Sequence, residues 1–293
     1  MLLVSAQSVL VLSVLLFGPE VLGHGLLPRG VPLRDERVRS VSTAGFDDYY
    51  YIENETGSGY GCSVKKLAAL KTFIDEAREL ASAASSFLEQ GGSELSPAYM
   101  LWFGAAEEGN AKPATREAIR THHYEAVLQY LKPPSPENYI SWMIKDFLSP
   151  TGLTYACPPK LSEECRDPTV AGAHDKGDDG WAVDAIMLCP SLFKRPSHEA
   201  MVEQWRQDRT LDHSAGFALL QAAQHLSRIV GESRKCGNVP DPEAPGRPGG
   251  CSRATCCASL SDADKIKNSR NMAFFALEVA ADSSRGEPPE LSR

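Results

Sequence analysis

The chain has 293 residues, 42% hydrophobic and 23% charged, the balance of an ordinary globular protein with room for one large domain or two modest ones. Its net charge of −8 and the lack of any long Lys/Arg run exclude nucleic acid or an anionic membrane as the main partner, because both demand clustered basic residues.

Residues 1–23 read as a secretory signal peptide, with an apolar run over 9–17 and a Val21-Leu22-Gly23 ending, although no basic residue precedes the run. The run is too short to span a bilayer and is expected to be cleaved. Beyond it lie eight cysteines, Cys62, Cys157, Cys165, Cys189, Cys236, Cys251, Cys256 and Cys257. An even count in a secreted chain favours disulfides, up to four of them, over metal thiolates, and leaves the pairing open.

Residues 24–61 lack apolar periodicity and are expected to form a mobile arm or propeptide. Arg34 and Arg37 have the spacing of a convertase site or of a solvated loop, and Asn54 heads the one N-glycosylation sequon. Asp47, Asp48 and Tyr49 to Tyr51 read as an exposed turn.

An amphipathic helix follows over 63–90, capped by Ser63, with Leu67, Leu70, Ile74, Ala77, Ala81, Ala84 and Leu88 on its buried side and Gly91-Gly92 ending it. The aromatic stretch 97–104 is expected to pack under the next helix, 115–131, which Pro133-Pro134 closes. His122 and His123 are adjacent, cannot form a metal pair four apart, and read as surface residues. Short strands are expected at 139–144, 153–157 and 181–189, separated by Pro, Gly and Asp clusters. The loop 167–180, with His174, Asp175, Asp178 and Asp179, lacks the ordered ligand positions of a calcium loop and reads as solvated.

Helices are then expected at 197–209 and 214–231. In the second, Leu219, Ala222, Leu226, Ile229 and Val230 form an apolar stripe, while Gln221, Gln224, His225 and Arg228 fall on another face, turned to solvent or a cleft. The Gly- and Pro-rich segment 236–257 needs its cysteines to hold its shape. A last helix spans 261–282, with Ser261 and Asp264 at capping-box spacing, and a disordered tail closes the chain at 283–293.

Zinc proteases of the HExxH type set two imidazoles four apart on a helix and use the intervening Glu as general base. Three segments of this chain bear on that arrangement. IMLCPSLF at 186–193, LLQAAQHL at 219–226 and IKNSRNMAFFA at 266–276 together resemble the corresponding runs of the fungal deuterolysin-like zinc metalloendopeptidases, the aspzincin group that includes peptidyl-Lys metalloendopeptidases. The resemblance spans about half of the mature chain. It implies a secreted fungal glycoprotein with a zincin-like α+β fold, helix-rich with a small mixed sheet and a disulfide-tied loop, over residues 62–282.

Carried over position by position, the first zinc histidine is Gln221, the catalytic glutamate is Ala222, and the second histidine survives as His225. The third ligand, an Asp, falls at Lys235 and Cys236, with Asp241 out of register; the closing motif's Asp and Tyr are Arg270 and Met272. A glutamine amide is a poor zinc ligand and an alanine cannot take a proton. No catalytic residue and no cofactor are therefore expected, with His225 and Asp241 as the only metal candidates should zinc bind. His198-Glu199 lacks a second histidine, and the spacing gives no support to a site built from His213, His225 and an Asp. The expected function is a catalytically degenerate, metalloprotease-like monomer that binds a peptide or protein over Gln221, Gln224, His225 and Arg228. The alternatives are an active zinc endopeptidase with non-standard ligands, or an effector-like or structural secreted protein whose cleft is unused.

Overall fold

The computed structural model describes residues 38–40, 49–52, 62–105, 112–131, 153–165, 169–178, 184–246 and 249–284. The signal peptide, Arg34, Arg37, Asn54, the strand expected at 139–144 and the tail from 285 lie outside the described residues. The architecture is α+β: helices gather around one long helix, a small mixed sheet lies against them, and a Cys-rich loop joins the last helices.

Two strands, β1 Val38–Ser40 and β2 Tyr49–Ile52, stand where an arm was expected. A run of three tyrosines and an isoleucine suits a pleated strand, though it is too short to show an alternating pattern. Helix α1, Val64–Glu89, starts at Ser63, whose side chain accepts from the Lys66 N–H at 3.4 Å. Helix α2, Pro97–Phe103, is capped by Ser96 and buries Tyr99, Trp102 and Phe103. The helix expected at 115–131 begins earlier, with Pro113 at its first position, and is interrupted. It runs as α3 Pro113–Ile119, a π-helical turn Arg120–Glu125, and α4 Ala126–Tyr130.

Strand β3 is Leu153–Ala156 and β4 is Ala171–His174, inside the loop expected to be solvated. With β5, Ala185–Leu188, they complete a sheet ordered β1-β2-β3-β5-β4. The β2/β3 and β3/β5 pairs are parallel and the outer pairs antiparallel. Both β3 and β5 are buried throughout, which explains why they read as plain apolar runs. Asp175, just past β4, is buried and not solvated.

Helix α5, His198–Asp208, ends on Arg209 in the left-handed region at φ 59°. The helix expected at 214–231 is two pieces, α6 Ala215–Ala223 and α7 Ser227–Val230, with Leu226 extended between them. Helix α6 passes so close to α1 that a Cβ on Gly216 would strike Glu76 and come within 2.8 Å of the Ala77 nitrogen. Two short helices follow, α8 Ala254–Ser259 and α9 Asp262–Lys265, and then α10 Ser269–Asp282. The last helix, expected whole, thus breaks at 266–268. Asn268 is extended there, with its side-chain amide on Asn271 Oδ1 at 2.7 Å, so side chain and backbone both leave the helix.

The core is a ring of aromatics on α2, α5, α6 and α10. Trp102 stacks on Phe274 at 4.8 Å, Phe103 meets Phe275 at 4.6 Å, and Phe217 meets Phe274 edge-on at 5.4 Å. Glu278 sits among them, 1% exposed, accepting from Trp205 Nε1 at 3.1 Å, Trp102 Nε1 at 3.4 Å and the Arg209 guanidinium.

Three disulfides form, Cys62–Cys157, Cys165–Cys189 and Cys251–Cys256, and suit an oxidising compartment. A fourth does not form. Cys236 and Cys257 are free and buried, and burial pushes both thiols up to about 12. Cys236 is held between the Arg234 and Ile266 carbonyls, while Cys257 donates to the Cys251 carbonyl at 3.3 Å, so the two thiols have separate partners. Among the described residues no helix is long and apolar enough to cross a membrane.

Candidate functional site

The site forms where the end of α6 meets the start of α10. The N–H groups of Gln224, His225 and Leu226 each bond three residues back, to the Gln221, Ala222 and Ala223 carbonyls at 3.1, 3.1 and 3.3 Å. Such a turn winds more tightly than an α-helix, so side chains beyond it leave the stripe that α-helical spacing predicts. Gln224 swings into the core, 0% exposed, and its Oε1 lies 2.7 Å from Nδ1 of His123. His123, expected at the surface, is buried with it, and burial draws its pKa down to about 4. His122 is exposed, as expected.

Gln221 and His225 do stay together, because both reach Ser269, the first residue of α10. His225 Nε2 lies 2.9 Å from Ser269 Oγ, and Gln221 Nε2 lies 3.5 Å from the same oxygen. His225 is drawn down to about 4 by burial, opposed by a backbone hydrogen bond to Cys236. Which of Nε2 and the Ser269 hydroxyl donates across this contact depends on the ring's tautomer.

A serine hydroxyl on an imidazole is the geometry of a nucleophile and its base. Here it is a strut. Ser269 is 0% exposed, so no substrate carbonyl reaches its Oγ, and a base near pH 4 takes no proton at neutrality.

Arg270 follows Ser269 and lays its guanidinium over the Phe217 ring at 5.5 Å. The His213 ring meets the same phenyl at 5.8 Å. Burial draws His213 down to about 3 and Arg270 to about 10, and the Arg270 charge depresses both His213 and His225. Arg195 adds a second positive charge nearby, matched by Asp212 at 3.1 Å. Spacing alone did not point to Ser269, His213 or Arg195: the break before α10 sets Ser269 at a helix start, and the other two come from loops ahead of α6 and α5.

The remaining expected site residues lie elsewhere. Ala222 is 2% exposed and belongs to the core, so a carboxylate there would enter apolar surroundings. Arg228 stands 3.7 Å from Asp184. Lys235 bonds Asp175 at 2.7 Å, and the same carboxylate takes the Ser227 N–H at 2.8 Å. Asp241 is spent within the Cys-rich loop, on the Glu243 N–H at 3.0 Å and on Arg253 at 3.3 Å. His198 faces Glu79 at 3.7 Å instead of a metal partner.

Zinc does not fit this donor set. One imidazole, an amide and a buried hydroxyl offer no anionic ligand, and the Arg270 cation beside them repels a divalent ion. Among the described residues no group of three His, Cys, Asp or Glu side chains could hold a metal.

No protein-family model matches the chain, and no curated protein matches it. Among solved structures, a zinc peptidase from Grifola frondosa is similar over 74% of this chain and 97% of its own, with 17% identity and a TM-score of 0.44. A likeness of that degree carries no argument about what this chain does.

Proposed function

We propose that this chain is a secreted, catalytically degenerate relative of the deuterolysin-like metallopeptidases that it resembles in sequence, and that it binds a peptide or protein where those enzymes cut. The observation that carries the reading is the meeting of Gln221 and His225, four apart, on Ser269 of the closing-helix motif. Two segments matched separately in sequence thus meet through Gln221 and His225, the positions that the resemblance gives to the family's two histidines. The residues that meet are a scaffold without its chemistry, since Ala222 offers no base and Arg270 stands where the family has a carboxylate.

The test is metal content and cleavage together. Purified, tag-free protein is expected to hold no zinc after dialysis, to melt at the same temperature with and without chelator, and to leave casein and a Lys-containing peptide library uncut. About one zinc per chain retained through dialysis, with cleavage abolished by chelator and by His225→Ala, would overturn the reading in favour of an active enzyme with non-standard ligands.

A further inference from the structure

Arg270 is a partly buried cation beside this site. Its Nε is withdrawn from solvent and bonds to nothing among the described residues, and no carboxylate pairs with it. Two other arginines at this end have their acids: Arg195 has Asp212, and Arg228 has Asp184. Its Nε is shut off from water while the rest of the guanidinium is not, so a ligand that reaches the outer nitrogens can complete the group.

Its surroundings share one sign. Arg270 lies in the first turn of α10, which contains no acidic residue; the Ser269 and Asn271 N–H groups are taken by the Gly237 and Asn268 carbonyls, so it is the positive end of the helix dipole that adds to the Arg270 charge. That end of a helix favours an anion. Gln221, His213, His225 and Arg195 border it and are partly open, whereas Ser269 is closed. The number of charges then selects the anion. Both imidazoles are neutral and Arg195 is already matched, so the site offers one net positive charge and a fork of N–H donors. That suits a carboxylate, a planar monoanion, better than a phosphate dianion, which the protein's net charge of −8 would also repel.

We propose that Arg270, bordered by Gln221, His213 and Arg195, seats a single carboxylate of a bound peptide, either an acidic side chain or a chain terminus. The inference deepens the peptide-binding reading and rests on it for the identity of the ligand, while the carboxylate site itself is tested separately.

The probe for the site is acetate. Full-length mature protein labelled with 15N-arginine is titrated with sodium acetate against sodium chloride at constant ionic strength, with the Arg270 Nε–H resonance assigned by its loss in Arg270→Lys. A saturable shift in acetate and none in chloride is expected. No acetate-dependent shift, or tighter binding of inorganic phosphate than of acetate, overturns the proposal.

The probe for the ligand is a pool of randomised hexapeptides with free C-termini and Asp, compared with an amidated pool carrying Asn for Asp. Wild type is expected to retain the first over the second by about tenfold, the value of a charge-assisted hydrogen bond. Arg270→Gln, checked for folding by circular dichroism, should lose that preference, and Arg270→Lys should keep part of it. Equal retention of both pools with no acetate shift overturns the carboxylate site and leaves peptide binding standing. An acetate shift with neither pool retained upholds the site and refutes peptide binding.

Discussion

Removing the Glu278 carboxylate should be the most damaging single change in the core. The side chain is 1% exposed and accepts from two indoles and from Arg209, whose own side chain is 11% exposed. Glu278→Ala takes from Arg209 its buried carboxylate and leaves both indole N–H groups unpaired. Breaking a buried pair from one side costs about 3–5 kcal/mol, a large part of the roughly 5–15 kcal/mol that holds a domain folded. Glu278→Gln keeps an acceptor for the indoles but not the charge and should cost about 2 kcal/mol. In a double-mutant cycle Arg209→Met should be harmful in the wild type and nearly neutral once Glu278 is Ala, a coupling of about 3 kcal/mol. Urea unfolding followed by tryptophan fluorescence reads this, since two of the four tryptophans, Trp102 and Trp205, bond Glu278. A loss below about 1 kcal/mol for Glu278→Ala, or no coupling, would refute the assignment of Glu278 as the charge that holds this ring of aromatics.

Stability should fall on mild acidification. His123, His213 and His225 are held at about 4, 3 and 4 in the fold against an ordinary 6.5, so the unfolded chain takes up protons that the fold refuses. The stability of their neutral forms is complete above about pH 6.5 and is lost as pH drops towards those folded values, each ring adding about 1.4 kcal/mol per pH unit at its steepest. A urea midpoint that stays constant from pH 7.5 to 5 would contradict this, and His123→Asn should flatten the curve by one proton. Thiol counting should find no reactive cysteine in the native protein and two in denaturant, Cys236 and Cys257; four reactive thiols, or none, would disprove the three-bridge pattern. Gly216→Ala should cost more than about 2 kcal/mol, because its Cβ meets the backbone of α1, and a melting temperature equal to the wild type's would show that α6 can move away.

The helices read well from sequence because their signals are local. Ser63, Ser96, Ser197 and Ser261 each cap the helix that follows, and Leu70, Ile74, Ala77, Ala81, Ala84 and Leu88 are all buried on α1 as spaced. The misses have a common origin in contacts distant along the chain. Strand β4 consists of Ala-Gly-Ala-His and has no β-forming composition of its own; pairing with β5 makes it a strand. The π-helical turn, the tight turn at 224–226 and the break before α10 are all backbone adjustments that spacing rules do not anticipate. Two of them decide the site. The tight turn sends Gln224 inward to His123, and the break makes Ser269 a helix start facing His225. The sequence named Gln221, Ala222 and His225 as the positions that matter, but where their side chains would point depended on these breaks.

The break before α10 also sets how freely the Cys-rich loop could change. Gly237 and Asn268 pair as an isolated parallel bridge, with the Gly237 N–H on the Lys267 carbonyl at 2.9 Å and the Ser269 N–H on the Gly237 carbonyl at 3.1 Å. The loop therefore leaves and re-enters the domain through one narrow neck. Closing a longer loop through a fixed neck costs little, only about 0.6 kcal/mol for each doubling of its length. Residues inside it can lengthen, shorten or be exchanged while His225, Ser269 and Arg270 keep their places, provided that Cys257 and Asn271 retain their contact at 3.0 Å. A foreign epitope or recognition loop grafted beyond this neck would lie next to the proposed carboxylate seat while the neck itself keeps the seat in place.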